Sequence, residues 1–557
     1  MNKICKQCQT QFDVTEEDLQ FYDKVSPVFA GKKYEVPLPT LCPPCRQQRR
    51  LAWRNERKLY NRKCDLTGKQ IISVFSPDKP FKVYDKDAWW SDSWDELSYG
   101  REVDFNRPFL DQLKELMLDV PRMALWNIDP VNSDYNQSTG WLKNCYLLAA
   151  ANRNEDCYYG NYVNDCKNCV DNLMIKNCEL CYECIECEGS YECFFCKNCV
   201  NCTSSQFLFN CISCTNCFGC VNLQRKEYCF FNEQLSKEEY QIKIKEINTK
   251  SYLHLEKLAA LMKETVLKYP VKYMIGTHNE DVTGNGIYQS HHAYACFDVS
   301  KLENCSHCSW FHEAKDCMDT FAWGMSAELC YDSMEIGGGA YRTLFCATSQ
   351  GTKNAFYSYQ CMFSENIFGC VGLKRKKHCI LNKQYTQAEY EQLLPKIIEH
   401  MKKGNEWGEF FPYSLSPFCY NETVASEFFP LSPDQAVSLG SAWREEDDQN
   451  KYQGPRSDLH DTIDDVSDDV LKSILTCAKC QKNYKVISQE LQFHRDHSVA
   501  LSQFCPACRH QKRIEQRNPR KLWDRHCAKC TTAISTSYSP DRPETVYCEK
   551  CYLETVY

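Results

Sequence analysis

The chain has 557 residues, 43% of them apolar and 25% charged, which excludes a wholly disordered polymer and sets an expectation of three or four domains. Its net charge of −8 gives no global sign of nucleic-acid binding. No apolar run reaches the roughly 18 residues of a membrane helix, and the opening Met-Asn-Lys-Ile-Cys lacks a signal-peptide core, so a cytoplasmic protein without membrane contact is expected. Cysteine is the outlier, with 40 residues, many of them in C-x-x-C pairs. In a long chain without an export signal, that usage favours metal sites and reduced buried thiols over a disulfide framework.

In chain order, residues 1–63 carry Cys5-x-x-Cys8, then Asp18-Leu-Gln-Phe-Tyr22, then Cys42-Pro-Pro-Cys45. Two such knuckles supply four thiolates at the spacing of a tetrahedral zinc site. The second runs into a basic, helix-compatible stretch, 46–63, with eight Arg/Lys against Glu56. Arg46, Arg49, Arg50, Arg54 and Arg57 are thereby candidates for an anionic partner, with RNA or ribosomal particles the commonest case. The alternative is docking on acidic groups of the chain itself, such as Asp447, Asp448 and the run 458–469. Residues 64–101 resemble a second, degenerate module in which Cys64 is followed by Thr67, Asp85 and Ala88 at the other ligand positions. This module is expected to fold without zinc around Trp89, Trp90 and Trp94. Within 102–144, Phe109, Leu110, Leu113, Leu116 and Met117 predict a helix over 107–119 that caps the first repeat coil.

Between Cys145 and Cys229, all seventeen cysteines fall in one residue class modulo three. Fifteen-residue self-similarity overlies this register, as in Cys166, Cys181, Cys196 and Cys211, and in Cys169, Cys184, Cys199, Cys214 and Cys229. Period three fits neither helix nor flat strand. It fits a β-solenoid (145–232) with coils of about 15 residues, sending one residue in three inward. Asparagine precedes the inward cysteine at 144, 168, 177, 198, 201, 210 and 216, where its tolerance of left-handed backbone suits a corner. A second solenoid (276–382) repeats the first: Cys220–Gln234 matches Cys370–Gln384 at an offset of 150, with only nine cysteines retained in 296–379. Capping boxes at Ser236/Glu239 and Thr386/Glu389 predict helical caps within 233–275 and 383–443, with helices over 236–268 and 386–403. Residues 444–470 read as an acidic linker.

The C-terminal region, 471–526, repeats the N-terminal module: Cys477-x-x-Cys480, Glu490–His494, Cys505-Pro-Ala-Cys508, then a basic stretch with Arg509, Lys512, Arg513 and Arg517 as further nucleic-acid candidates. Residues 527–557 add Cys527-x-x-Cys530 and Cys548-x-x-Cys551. The first module resembles a zinc-ribbon domain family of bacterial proteins, over roughly 3–50 and again 475–515. The larger arrangement is similar to uncharacterised bacterial Cys-rich repeat proteins carrying such ribbons. The resemblance implies zinc binding and brings no catalytic residues.

The expected fold is mainly β: two tandem parallel β-solenoids with Cys-lined interiors and helical caps, flanked by small α+β zinc-ribbon or treble-clef modules. Three structural four-cysteine zinc sites are expected. Four thiolates leave no open coordination position, and no P-loop, G-x-S-x-G or dinucleotide fingerprint is present, so the expected function is a non-enzymatic interaction scaffold. The head and tail modules are candidates to pack together. The competing readings are a thiol-rich metal store or redox buffer, disulfide ladders and, more distantly, a carbohydrate-active solenoid enzyme. His291, His292, Cys305, His307, Cys308 and His312 form a further candidate metal patch.

Overall fold

The computed structural model describes residues 1–167, 201–322, 324, 327–334, 337–445 and 454–556, together with the backbone of 179–181 and 191–193. Expectations that fall on Asn168, Cys169, Asn177, Cys178, Cys184, Cys187, Cys196, Asn198, Cys199, Asp447 and Asp448, or on the side chains of Cys181 and Cys193, lie outside the described residues.

The middle of the chain is a parallel β-solenoid of about 18 turns, generated by a three-residue rule. Backbone φ is positive at every third residue from Trp141 to Asp165, and again at Asn201, Ser204, Phe207, Asn210, Ser213 and Asn216. Each left-handed residue turns a corner, the next side chain points inward, and the third lies on a flat side and pairs with the neighbouring coil. Asn144, Asn201, Asn210 and Asn216 stand at these corners, where the short amide makes the left-handed conformation accessible. Leu142, Cys145, Leu148, Ala151, Cys157, Val163 and Cys166 line the buried interior.

The coil length departs from the expected 15 residues. Lys143 pairs with Glu155, Tyr146 with Tyr158, Thr203 with Thr215 and Phe218 with Phe230, each twelve positions on and parallel. Twelve and fifteen are both multiples of three and keep cysteine inward equally well. A corner at every third residue closes the coil after four sides, so the fifteen-residue similarity relates positions one coil and one side apart. Between 276 and 380 the ladder steps are also twelve at Lys353, Glu365 and Lys377. They are eleven at entry, Glu280 with His291, and thirteen from Cys317 to Cys330.

The interior explains the residue choice. An inward backbone N–H has no ladder partner and must find an acceptor inside. The inward side chain one coil earlier supplies it: Ser133 Oγ accepts from the Cys145 amide (2.9 Å), Asn154 Oδ1 from Cys166 (2.9 Å), Ser205 Oγ from Cys217 (3.0 Å) and Cys220 Sγ from Asn232 (3.4 Å). The thiols in turn donate to carbonyls, Cys157 to Glu155 and Cys166, and Cys220 to Phe218 and Cys229. Cysteine is thus small enough for the core and polar enough to satisfy it, and serine or asparagine fills the same acceptor role at Ser133, Asn154 and Ser205.

The described helices are α1 (Glu16–Val25), α2 (Pro43–Leu51), α3 (Lys86–Trp90), α4 (Phe109–Asp119), α5 (Lys237–Lys245), α6 (Tyr252–Val266), α7 (Gln387–Lys403), α8 (Ala425–Phe428), α9 (Pro433–Ser438), α10 (Ser488–Asp496), α11 (Pro506–Glu515) and α12 (Glu549–Val556). Both capping boxes form, at the starts of α5 and α7. The single helix expected over 236–268 is broken before Ser251, which caps α6. Helix α4 does not cap the first coil as expected. Its Phe109 ring packs edge-on against Phe368 (5.3 Å) in the later ladder, where it joins Phe356, Ile380 and the apolar face of α7 in one core.

The end modules dock in a crossed arrangement. Helix α2 lies against the later ladder, with Trp53 beside it contacting Tyr359 and Phe411. The C-terminal modules bind the earlier ladder: Tyr159 donates to Glu490 of α10 (2.9 Å), and Tyr552 of α12 to Asn222 (2.8 Å). The two halves meet where the Tyr162 and Trp310 rings lie 3.6 Å apart and Arg520 covers Trp310 at 3.8 Å. The N-terminal module also reaches the earlier ladder, where Glu56 accepts from Tyr162 (2.6 Å), and the C-terminal modules reach the later one, where Arg517 pairs with Asp298; Glu427 of α8 meets His510 of α11 at 3.0 Å.

Candidate metal centres

Each candidate centre is assembled the same way. An antiparallel pair of short strands presents the first knuckle in its turn: 2–4 with 11–13, 475–476 with 483–484, and 523–526 with 533–536. Gln9, Gln481 and Thr531 adopt positive φ just after each knuckle, closing it. In the first two centres the third cysteine caps a helix that opens with proline, Cys42 before Pro43 and Cys505 before Pro506. The missing proline N–H costs nothing at that position, and the free N–H groups of the first turn face the sulfurs.

The four sulfurs of Cys5, Cys8, Cys42 and Cys45 all lie within 4.8 Å of one another, as do those of Cys477, Cys480, Cys505 and Cys508, and those of Cys527, Cys530, Cys548 and Cys551. Sulfur pairs within them lie 3.6 Å (Cys8–Cys42), 3.7 Å (Cys480–Cys505) and 3.7 Å (Cys530–Cys548) apart. A tetrahedral zinc with Zn–S bonds of about 2.3 Å sets its sulfurs about 3.8 Å apart. The donor sets therefore fit a four-thiolate metal ion, and these are the three groups of this kind among the described residues.

Electrostatics favours a thiolate in each. Cys42 is drawn down to about 5, chiefly by its contact with the Cys45 thiol. Burial works against ionisation of Cys477, but the backbone amides of Cys480 and Cys505 overcome it and lower the thiol to about 6. Cys530 is lowered to about 6 by the Thr532 hydroxyl and amide. In the degenerate module the same scaffold is closed by other means. Thr67 Oγ1 donates to Asp85 (3.2 Å), the Asp85 amide donates to Cys64 Sγ (3.3 Å), and Asp85 accepts from the Ala88 amide (3.0 Å). Trp89 is fully buried and packs with Trp90 and Trp94 at 5.1 and 5.9 Å.

The basic stretches do not form the anticipated anionic-partner surface. Arg46, Arg49, Arg50, Arg54, Arg509 and Arg513 are buried. Arg46 pairs with Asp319 (2.5 Å), Arg49 with Asp332 (2.5 Å) and Glu409 (2.7 Å), Arg50 with Asp332, Arg54 with Glu56, and Arg509 with Glu490 (2.8 Å). Lys512 and Arg517 are half-buried and pair with Glu256 and Asp298; Arg57 is half-buried. The physical reason is that the solenoid corners carry buried carboxylates, and a charge can be buried only beside its opposite. Asp319 and Asp332 both have positive φ. They are the functional residues that sequence reasoning missed, although acids at every-third corner positions were a usable signal.

The suggested histidine patch is not assembled. Cys305 and Cys308 point inward, whereas His291 and His292 are exposed and pair with Glu280 and Asp281. Among the described residues, no solenoid cysteine is placed in a disulfide. No described helix is long and apolar enough to cross a membrane. No protein-family model matches the chain, and no curated protein matches it in sequence.

Proposed function

We propose that this chain is a non-enzymatic, zinc-stabilised scaffold. Its two ladder segments are read as tandem solenoids from an internal duplication, and its end modules as zinc-ribbon or treble-clef brackets that clamp them. The observation that carries this reading is the close mutual spacing of four sulfurs in each of three modules, which fits tetrahedral thiolate ligation. A fully thiolate-ligated ion serves structure, since it keeps no position open for a substrate. Reduced interior thiols suit a reducing compartment. Because the candidate arginines neutralise the chain's own carboxylates, the reading gives RNA no role.

Metal analysis of protein purified without added metal tests the proposal. About three zinc ions per chain are expected, with unfolding of the brackets on exhaustive chelation. A protein that is metal-free and equally stable would overturn it.

A further inference from the structure

The three centres differ in how they are held. In the first, Cys5, Cys42 and Cys45 are buried, Cys8 alone is exposed, and the helix leaving the site is anchored by buried pairs from Arg46, Arg49 and Arg50. In the second, two sulfurs are buried and two half-buried, and α11 is anchored by Arg509 and Glu490, both almost fully buried. In the third, Cys530 is exposed and Cys548 half-exposed. Its helix, α12, is tied down by Tyr552 and by the surface pair Lys272–Glu549 (2.5 Å).

That third centre is also wired to the segment joining the two ladders. Val271 and Lys272, between α6 and the start of the later ladder, pair in parallel with Val546 and Tyr547. The Val271 amide donates to the Thr545 carbonyl and the Tyr273 amide to the Tyr547 carbonyl, both at 2.9 Å. Thr536 Oγ1 donates to the Tyr273 carbonyl at 2.6 Å. Tyr547 directly precedes Cys548, and the Ala528 amide, between Cys527 and Cys530, donates to the Val546 carbonyl. The strand that grips the joint is therefore gripped in turn by both knuckles.

We infer that the C-terminal centre, Cys527/Cys530/Cys548/Cys551, is an exchangeable zinc site whose occupancy clamps the joint at 271–273, while the other two centres hold zinc permanently. The inference rests on the zinc-scaffold reading above. Exchange is ligand substitution without redox change: a donor atom from solution bonds to zinc as the Zn–S bond of the exposed Cys530 breaks, and the freed thiolate takes up a proton. A joint released this way would let the two ladders shift relative to each other, and zinc rebinding would restore them.

The test is stopped-flow zinc release from the zinc-loaded full chain into excess of the chromogenic chelator 4-(2-pyridylazo)resorcinol, with amide hydrogen exchange in parallel. One zinc of the three should leave in a distinct fast phase, with loss of protection at Val271 and Tyr273 and none in α2. Cys530→Ser should remove the fast phase and leave two zinc ions bound. Because the wild-type measurement stands without the variant, a poorly folding C530S does not rescue the inference. Release of all three in one phase, persistence of the fast phase in C530S, or unchanged exchange at Val271 and Tyr273 after the fast phase would overturn it. A chain that binds no zinc at all overturns the scaffold reading as well.

Discussion

Arg50 of α2 and Asp332 of the solenoid wall meet as an ion pair with side chains 1% and 0% exposed, 282 residues apart in sequence. Burial raises the cost of the Asp332 charge, and the guanidinium groups of Arg49 and Arg50 overcome it, holding the carboxyl below its ordinary range. The pair converts a basic helix, which in isolation reads as a phosphate-binding surface, into an internal fastener.

Asp332→Asn leaves the buried Arg50 with only Asp319 at 3.6 Å, and Arg50→Met leaves Asp332 to Arg49 alone, so each should cost up to the ~3–5 kcal/mol of a broken buried pair. Asp332→Asn and Arg50→Met should each lower the denaturation midpoint by a corresponding amount, and the double variant should recover part of the loss. The same substitutions should leave salt-dependent RNA retention unchanged. Retention that falls while stability holds would contradict the docked assignment.

Acid should strip the metal. Cys42, Cys477 and Cys530 lie at about 5, 6 and 6 against an ordinary 9.0. A lowered thiol contributes its stabilisation fully above the ordinary value and loses it as pH falls through the lowered one. Protons compete with zinc for these sulfurs, so zinc retention after dialysis should be high at neutral pH and fall on acidification. Retention unchanged well below pH 5 would speak against thiolate ligation.

The interior acceptors can be tested at Cys370, whose Sγ faces the amide of Asn382 one coil on and contacts the Cys379 carbonyl at 3.3 Å. Cys370→Ser preserves the acceptor and should be nearly neutral. Cys370→Val removes it, and an unsatisfied buried amide costs about 1–3 kcal/mol. Equal stability of the two variants in urea titrations would mean that size alone selects cysteine.

Gly369 fixes how closely α4 approaches the ladder. Its φ is +62°, and an added Cβ would lie 2.4 Å from Phe109 Cζ. Gly369→Ala should destabilise by about 1–3 kcal/mol through overpacking and left-handed strain. Gly68, also at positive φ but with nothing within 4 Å, serves as the control: alanine there meets strain alone.

The knuckles were legible because metal ligation demands particular atoms at particular separations. Cys477, Cys480, Cys505 and Cys508 identify themselves by type and spacing before any fold is known. The capping boxes at Ser236 and Thr386 were legible for a similar reason, since they involve only neighbours within one turn. The placement of α4 was not legible: its apolar stripe declares that it must be covered, and Phe368, 259 residues away, does not announce itself as the cover.

The triplet register belongs to the amino-acid sequence alone, because one inward residue in three is a local property of corner, core and side. Whether the triplets close after four sides or five is decided by the angle each corner makes in the folded coil, and period-three patterning is blind to it. The same division holds for charge. The chain specifies where the arginines stand, but only the packed structure brings Asp319 and Asp332 to them, since pairing across hundreds of residues depends on which faces meet.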